Sequence, residues 1–252
     1  MAQNTILQLP APQVARALPW WAWDLGIAAV ALALLLAWDA SGADLRVMQA
    51  FGTRAGFAWH EHWLTAQVLH DGGRLLSLML LLALALHLWR ALPFARAMPR
   101  TTRLWWLAAT LACLLLIPFV KSRSLVSCPW DLAEFGGTAR YLPHWTLQAW
   151  QGLGDAGPGR CFPSGHASGA FSFVTGWFAL RGTSGRAARR WLAGIVMLGL
   201  VFGVAQVLRG AHYPSHVAWT AWLCWVLSAI GWHATSPSPR LSATLAVVQG
   251  RT

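Results

Sequence analysis

Charge is what this 252-residue chain has least of: 11% of its residues are Asp, Glu, Lys or Arg, where a soluble domain carries about a quarter. Only 8 residues are acidic, against 19 Lys and Arg. That scarcity argues against a soluble globular domain. No small-residue cleavage site follows the first apolar run, so that run is expected to be a retained helix and not a signal peptide. No internal repeat is visible, which excludes solenoids and arrays. The Gly-rich stretch "GDAGPGR" (154–160) has no Lys-Ser/Thr ending and no strand before it, so it is not a P-loop.

What is present is apolar. Hydrophobic residues make up 56% of the chain, with 18 Trp. Six runs approach the roughly 20 residues that cross a hydrocarbon core: 20–38, 75–92, 104–120, 167–180, 191–208 and 217–232. Leu and Ala dominate them, so the expected fold class is all-α, a six-helix membrane bundle. The fourth run is short and Gly-rich, and spans only if its helix starts near Ser164. Trp clusters at run ends, as in "PWWAWD" and "RLWWL", suit the membrane interface. The expected layout is a segment 1–19, a membrane domain 20–232 and a loosely ordered, initially Ser/Pro-rich tail 233–252.

The net charge of +11 would point to nucleic acid in a soluble protein. Here topology accounts for part of it, and no nucleic-acid partner is expected. The short loops 91–103 and 181–190 carry Arg96, Arg100, Arg103, Arg181, Arg186, Arg189 and Arg190. Short Arg-dense loops belong on the cytoplasmic side, which puts both termini there too. Every acidic residue except Asp24 then falls on or near the opposite face.

On that opposite face three polar strings meet: "KSRSLVSCPWD" (121–131), "GRCFPSGHAS" (159–168) and "RGAHYPSH" (209–216). Two contain Pro-Ser, where Pro suits a helix start and Ser164 and Ser215 suit N-caps. A helix N-terminus attracts anions. Lys121, Arg160 and Arg209 add cations, and Arg forks match phosphate oxygens. His166 and His212 can exchange protons or attack phosphorus near neutral pH. Together these groups describe a phosphate-processing site at a membrane surface.

The strings, in this order, resemble the phosphatidic acid phosphatase type 2 (PAP2) superfamily of membrane phosphatases, whose pattern is Lys-x6-Arg-Pro, Pro-Ser-Gly-His and Ser-Arg-x5-His-x3-Asp. The middle string matches fully at Pro163, Ser164, Gly165 and His166; the first matches at Lys121 and Pro129, the third at His212. The resemblance covers roughly 75–232. It implies His212 as nucleophile through a phosphohistidine, His166 as acid to the leaving oxygen, and Lys121, Ser164 and the Gly165 N–H as phosphate ligands. It implies no metal or organic cofactor. It also implies a lipid phosphate or diphosphate as substrate, such as undecaprenyl diphosphate, phosphatidylglycerophosphate, phosphatidate or lipid A, met at the periplasmic face of a bacterial inner membrane. A phosphotransferase with the same site, and a non-catalytic lipid-phosphate binding or transport protein, are the rival readings.

Three positions depart from the pattern. Gln206 stands at an Arg position, but Arg209 follows one turn later on the same helix face. Cys128 stands at the other Arg position; it and Cys161 are either disulfide-bonded or two unpaired small residues, and Arg160 or Arg123 would supply the charge. His216 stands at the Asp position, where it can accept a hydrogen bond but stabilises an imidazolium less well; Asp131 or Glu134 would supply the anion. A metal pair at His212 and His216 is disfavoured because Pro214 lies between them. "HEH" (60–62) is expected in an interfacial helix, "DGG" (71–73) in a capped turn flanked by His70 and Arg74, and His87 inside the second span. Asp24 is expected at the interface. Cys113 and Cys224 are expected to be buried and inert, and Trp219, Trp222 and Trp225 to pack the bundle.

Overall fold

Among the described residues, four helical segments are long and apolar enough to cross a membrane: Trp20–Ser41, Leu64–Leu86, Arg100–Lys121 and Gly185–Leu208. The structure, a computed structural model, describes residues 19–152 and 154–235; what the sequence suggests for 1–18 and 236–252 lies outside the described residues. In chain order, helix α1 (Trp20–Ser41) leads into a short α2 (Ala43–Phe51) and a small hairpin, β1 (Gly52–Thr53) with β2 (Gly56–Phe57). A π-helical turn, Leu64–Asp71, runs straight into α3 (Gly72–Leu86), and α4 (Arg100–Lys121) follows. After a long irregular segment come α5 (Gly165–Phe171) and α6 (Thr175–Arg181), joined by a 3₁₀ turn at Ser172–Val174. Helices α7 (Gly185–Leu208) and α8 (Pro214–Thr235) complete the bundle. The chain is mostly helical, as its Leu and Ala content requires.

The second helix differs from its expected place. It begins at Leu64 and not at 75, and its α-helical part stops at Leu86 and not at 92. The "DGG" stretch is no capped turn: Asp71 closes the π-helical turn, and Gly72 and Gly73 open α3. At the other end His87 is buried and its Nδ1 accepts the Leu92 N–H at 2.9 Å, which closes a turn before Pro93. The residue before a proline is pushed out of the α region, so the helix cannot run on through Leu92. "HEH" is a bend and not a helix; the amphipathic helix on this face is α2.

The fourth run is short because it sits in the middle of the bundle. Residues 165–181 are almost wholly buried, against α4, α7 and α8. A segment shielded from lipid can carry small and polar residues, and these let helices approach. A Cβ on Gly176 would lie 2.2 Å from Trp191 Nε1 and 2.6 Å from Trp106 Cζ2. Thr110 and Thr175 share a hydrogen bond of 2.7 Å across this interface. Cys113 and Cys224 are buried beside it, with free thiols.

Helix α1 is tied to α8 by a row of indole donors. Trp219, Trp222 and Trp225 lie three residues apart, on one helical stripe. Their Nε1–H groups donate to Asp39 Oδ2 (2.9 Å), the Ala28 carbonyl (2.9 Å) and the Asp24 carbonyl (3.1 Å). The tryptophans therefore pack the bundle and also supply hydrogen bonds that lipid cannot. Asp24 is not an exposed interface residue: it is 1% exposed. Arg181 grips it through Nη1 (2.9 Å) and Nη2 (2.8 Å), and His233 Nε2 lies 2.8 Å from its Oδ2. This cluster clamps α1 to α6 and α8. Removing one member leaves a buried charge unpaired, which costs on the order of 3–5 kcal/mol. Asp24→Ala is expected to lower the thermal unfolding midpoint clearly in detergent, while Asp71→Ala, at an exposed acid, leaves it near wild type.

Candidate active site

The polar strings meet at one end of the bundle, where α4 and α7 finish and α5 and α8 begin. The chain leaves α7 through a Schellman turn: Ala211 N–H donates to the Gln206 carbonyl and Gly210 N–H to the Val207 carbonyl, both at 2.9 Å. Such a turn needs a left-handed residue after the cap. Gly210 supplies it, with φ of 72° and its α-carbon so close to Phe57 that a Cβ would meet Cδ2 at 2.3 Å. The turn delivers His212 into the interior, 4% exposed. Pro214 then starts α8 at once.

Ser164 caps α5, accepting the Ala167 N–H at 3.4 Å. Ser215 does not cap α8. It lies inside the helix, where its N–H donates to Asp44 Oδ1 at 3.0 Å and its hydroxyl to Asp44 Oδ2. The carboxylate from α2 thus does the capping, an anion at a positive helix end.

A cavity of about 250 Å³ opens among His70, Lys121, Cys128, Trp130, His166, Gln206, Arg209, Ala211 and His212. Lys121 reaches over the start of α5: a Cβ on Gly165 would lie 3.7 Å from its Nζ. Arg209 turns its Nε–H to the His60 carbonyl at 3.0 Å and its Nη1 toward Gln206 Oε1 at 3.5 Å. Gln206 and Arg209 therefore share the cavity wall, as their one-turn spacing predicts. Burial, with the charges of Lys121 and His166, holds His212 well below the usual histidine range. A neutral imidazole is the form that can attack phosphorus.

Cys128 and Cys161 are disulfide-bonded, with α-carbons 5.1 Å apart, so of the two alternatives the bonded one holds. Cys161 Sγ lies 3.5 Å from His212 Nδ1. Its carbonyl accepts from His216 Nδ1 at 3.2 Å. His216 is buried behind His212, their ring centroids 5.9 Å apart, with no hydrogen bond between them among the described residues. Neither acid offered in its place reaches the nucleophile. Asp131 accepts from the Cys128 N–H, and Glu134 from Gln49. Arg160 is exposed and not among the residues lining the cavity, and Arg123 lies over the Phe119 ring. The cavity's cations are Lys121 and Arg209. The "GDAGPGR" stretch is pinned by Asp155, which accepts from the Ser127 hydroxyl (2.8 Å) and the Gly157 N–H (3.0 Å).

Sequence reasoning missed two participants. His70, on the π-helical turn, stacks on His166 with centroids 4.8 Å apart. Asp44 anchors α8 from 171 residues away. Among the described residues, two groups have metal-ligand spacing. In Cys128, Cys161 and His212 the sulfurs are spent in the disulfide, and Asp39, Asp44 and His144 form a buried cluster whose carboxylates already accept from Trp219, Trp38 and Ser215.

The sequence profile of the PAP2 superfamily matches residues 103–240, more than half of the chain. No curated protein and no solved structure gives a match. The match takes in α4 from Arg103 onward, the disulfide and every cavity residue except His70. Thiol counting tests the geometry: denatured, unreduced protein is expected to show two free thiols, Cys113 and Cys224, and four after reduction.

Proposed function

The chain belongs to the PAP2 superfamily, whose members are phosphatases, and from that premise we propose that it hydrolyses a lipid phosphate or diphosphate through a phosphohistidine on His212. The observation that carries this reading is the cavity itself. It gathers two cations, Lys121 and Arg209, and three histidines, His70, His166 and His212, at one end of the bundle, beside the start of a capped helix. Lys121, Arg209 and the N–H groups at the start of α5 bind the phosphoryl oxygens and stabilise the charge that grows on them. His212 attacks, and His166 gives a proton to the leaving oxygen. Water then hydrolyses the phosphohistidine, with His166 taking the proton back.

Geometry supports Nε2 of His212 as the attacking atom, because Nδ1 faces the disulfide sulfur. His216, at the position where the family has a carboxylate, is held by the Cys161 carbonyl and lies behind His212 without a hydrogen bond to it. Six helical rods, with the short loops rich in Arg at the end away from the cavity, support a six-span protein with its site on the extracytoplasmic face. A lipid headgroup in an inner membrane would meet the site there.

Purified wild type is expected to release inorganic phosphate from members of a lipid-phosphate panel without an added acceptor. His212→Ala should be inactive. No release from wild type across the panel would instead favour a binding protein, and release only with an acceptor lipid a phosphotransferase. Arg209→Ala should lower kcat on the order of a hundredfold to a thousandfold; near-normal turnover would remove Arg209 from the phosphate clamp. The depressed proton affinity of His212 sets the acid limb of kcat/KM. The nucleophile stays neutral until pH falls through its lowered pKa, so this limb should lie below the ordinary histidine value of about 6.5.

A further inference from the structure

The π-helical turn lies outside all three polar strings, yet it grips the proposed acid from two sides. Its Leu69 carbonyl is 3.1 Å from His166 Nε2. A carbonyl can only accept, so Nε2 carries the hydrogen in this contact. A π turn shifts the helical hydrogen-bond pattern, and such turns are frequent at functional sites. The ring of His70 lies over one face of His166, with centroids 4.8 Å apart and planes 26° from parallel. Phe202 packs against the same imidazole at 4.7 Å. Gly73 makes room: a Cβ there would lie 2.8 Å from Phe202 and 3.2 Å from His166 Cε1. Asp71 Oδ1 holds His70 Nδ1 at 2.9 Å.

We propose that His70 and the Leu69 carbonyl position His166 so that it donates its proton from Nδ1, which makes His70 a positioning residue for the acid step. This rests on the phosphatase reading above. As His212 Nε2 bonds to phosphorus, the bond from phosphorus to the leaving oxygen breaks. His166 enters this step as an imidazolium, with a hydrogen on each ring nitrogen; its Nδ1 proton passes to that oxygen, and the neutral ring stays bonded to Leu69 through Nε2–H. When water attacks the phosphohistidine, its proton returns to Nδ1, the P–N bond breaks and His212 is freed. Each turnover therefore ends with both histidines as they began.

The test uses the leaving group. An alkoxide needs a proton to depart, whereas 4-nitrophenolate leaves without one. Full-length protein in detergent is assayed on decyl phosphate and on 4-nitrophenyl phosphate. His70→Ala is expected to lower kcat on decyl phosphate on the order of tenfold to a hundredfold, the scale of a misplaced general acid. Its loss on 4-nitrophenyl phosphate should be several times smaller, and His166→Ala should show the same selectivity more strongly. His70→Phe, which keeps a flat ring over His166, should regain most of the lost rate. Should His70→Ala not fold, Gly73→Ala takes its place, because its methyl pushes His166 and should give the same selectivity. Equal losses on both substrates, no loss on either, or no recovery in His70→Phe would overturn the proposal. Wild type inactive on both would overturn the phosphatase reading itself.

Discussion

The Cys128–Cys161 bond joins the string that follows Lys121 to the string that carries Ser164 and His166, and the rest of the site is arranged about it. Its sulfur touches His212 Nδ1, and the Cys161 carbonyl accepts from His216. One residue thereby touches the proposed nucleophile, the residue behind it and the loop that leads to α5. The Cys161 N–H is itself held by the Val126 carbonyl and the Arg160 N–H by the Ser124 carbonyl, both at 2.8 Å, which ties the two strings together beside the bond. A long irregular segment has many conformations, and a crosslink removes much of that freedom from the unfolded chain.

The departures from the family pattern read as one redistribution of charge. At 206 a Gln amide stands where the pattern has a guanidinium, and it accepts from Arg209, one turn on. The guanidinium expected at 128 is not replaced by a neighbouring cation; the position serves as a crosslink. At the position where the pattern has Asp, His216 is a buried imidazole whose Nδ1 donates to the Cys161 carbonyl. It carries no full negative charge, so less opposes the burial and the nearby cations that hold His212 neutral. The acidic groups are spent on architecture: Asp44 on the start of α8, Asp155 on the loop, Asp24 on the clamp between α1, α6 and α8.

Much of this was legible in the sequence, because the deciding groups lie in short strings. Lys121, His166, Arg209 and His212 stand beside Pro, Ser and Gly residues that mark helix ends, so their convergence follows from counting spans. Other features depend on partners far away in the chain. Ser215 looks like a cap, and only the fold brings Asp44 to it. Asp24 looks exposed until Arg181 and His233 surround it. Gly72 and Gly73 look like a turn; packing against Phe202 and His166 makes Gly73 a close-contact residue inside a continuous helix. The broken helix at 165–181 looks too short to span because hydropathy describes lipid contact, and this segment is buried in protein.

The central claim is that His212 becomes phosphorylated. The most direct measurement is a rapid quench into alkaline detergent with a substrate labelled in its phosphoryl group, because phosphohistidine survives alkali and is lost in acid. Wild type is expected to carry alkali-stable, acid-labile label that peptide mapping assigns to residue 212, and His212→Ala none. Label that maps to another residue, or that persists in His212→Ala, would contradict the account.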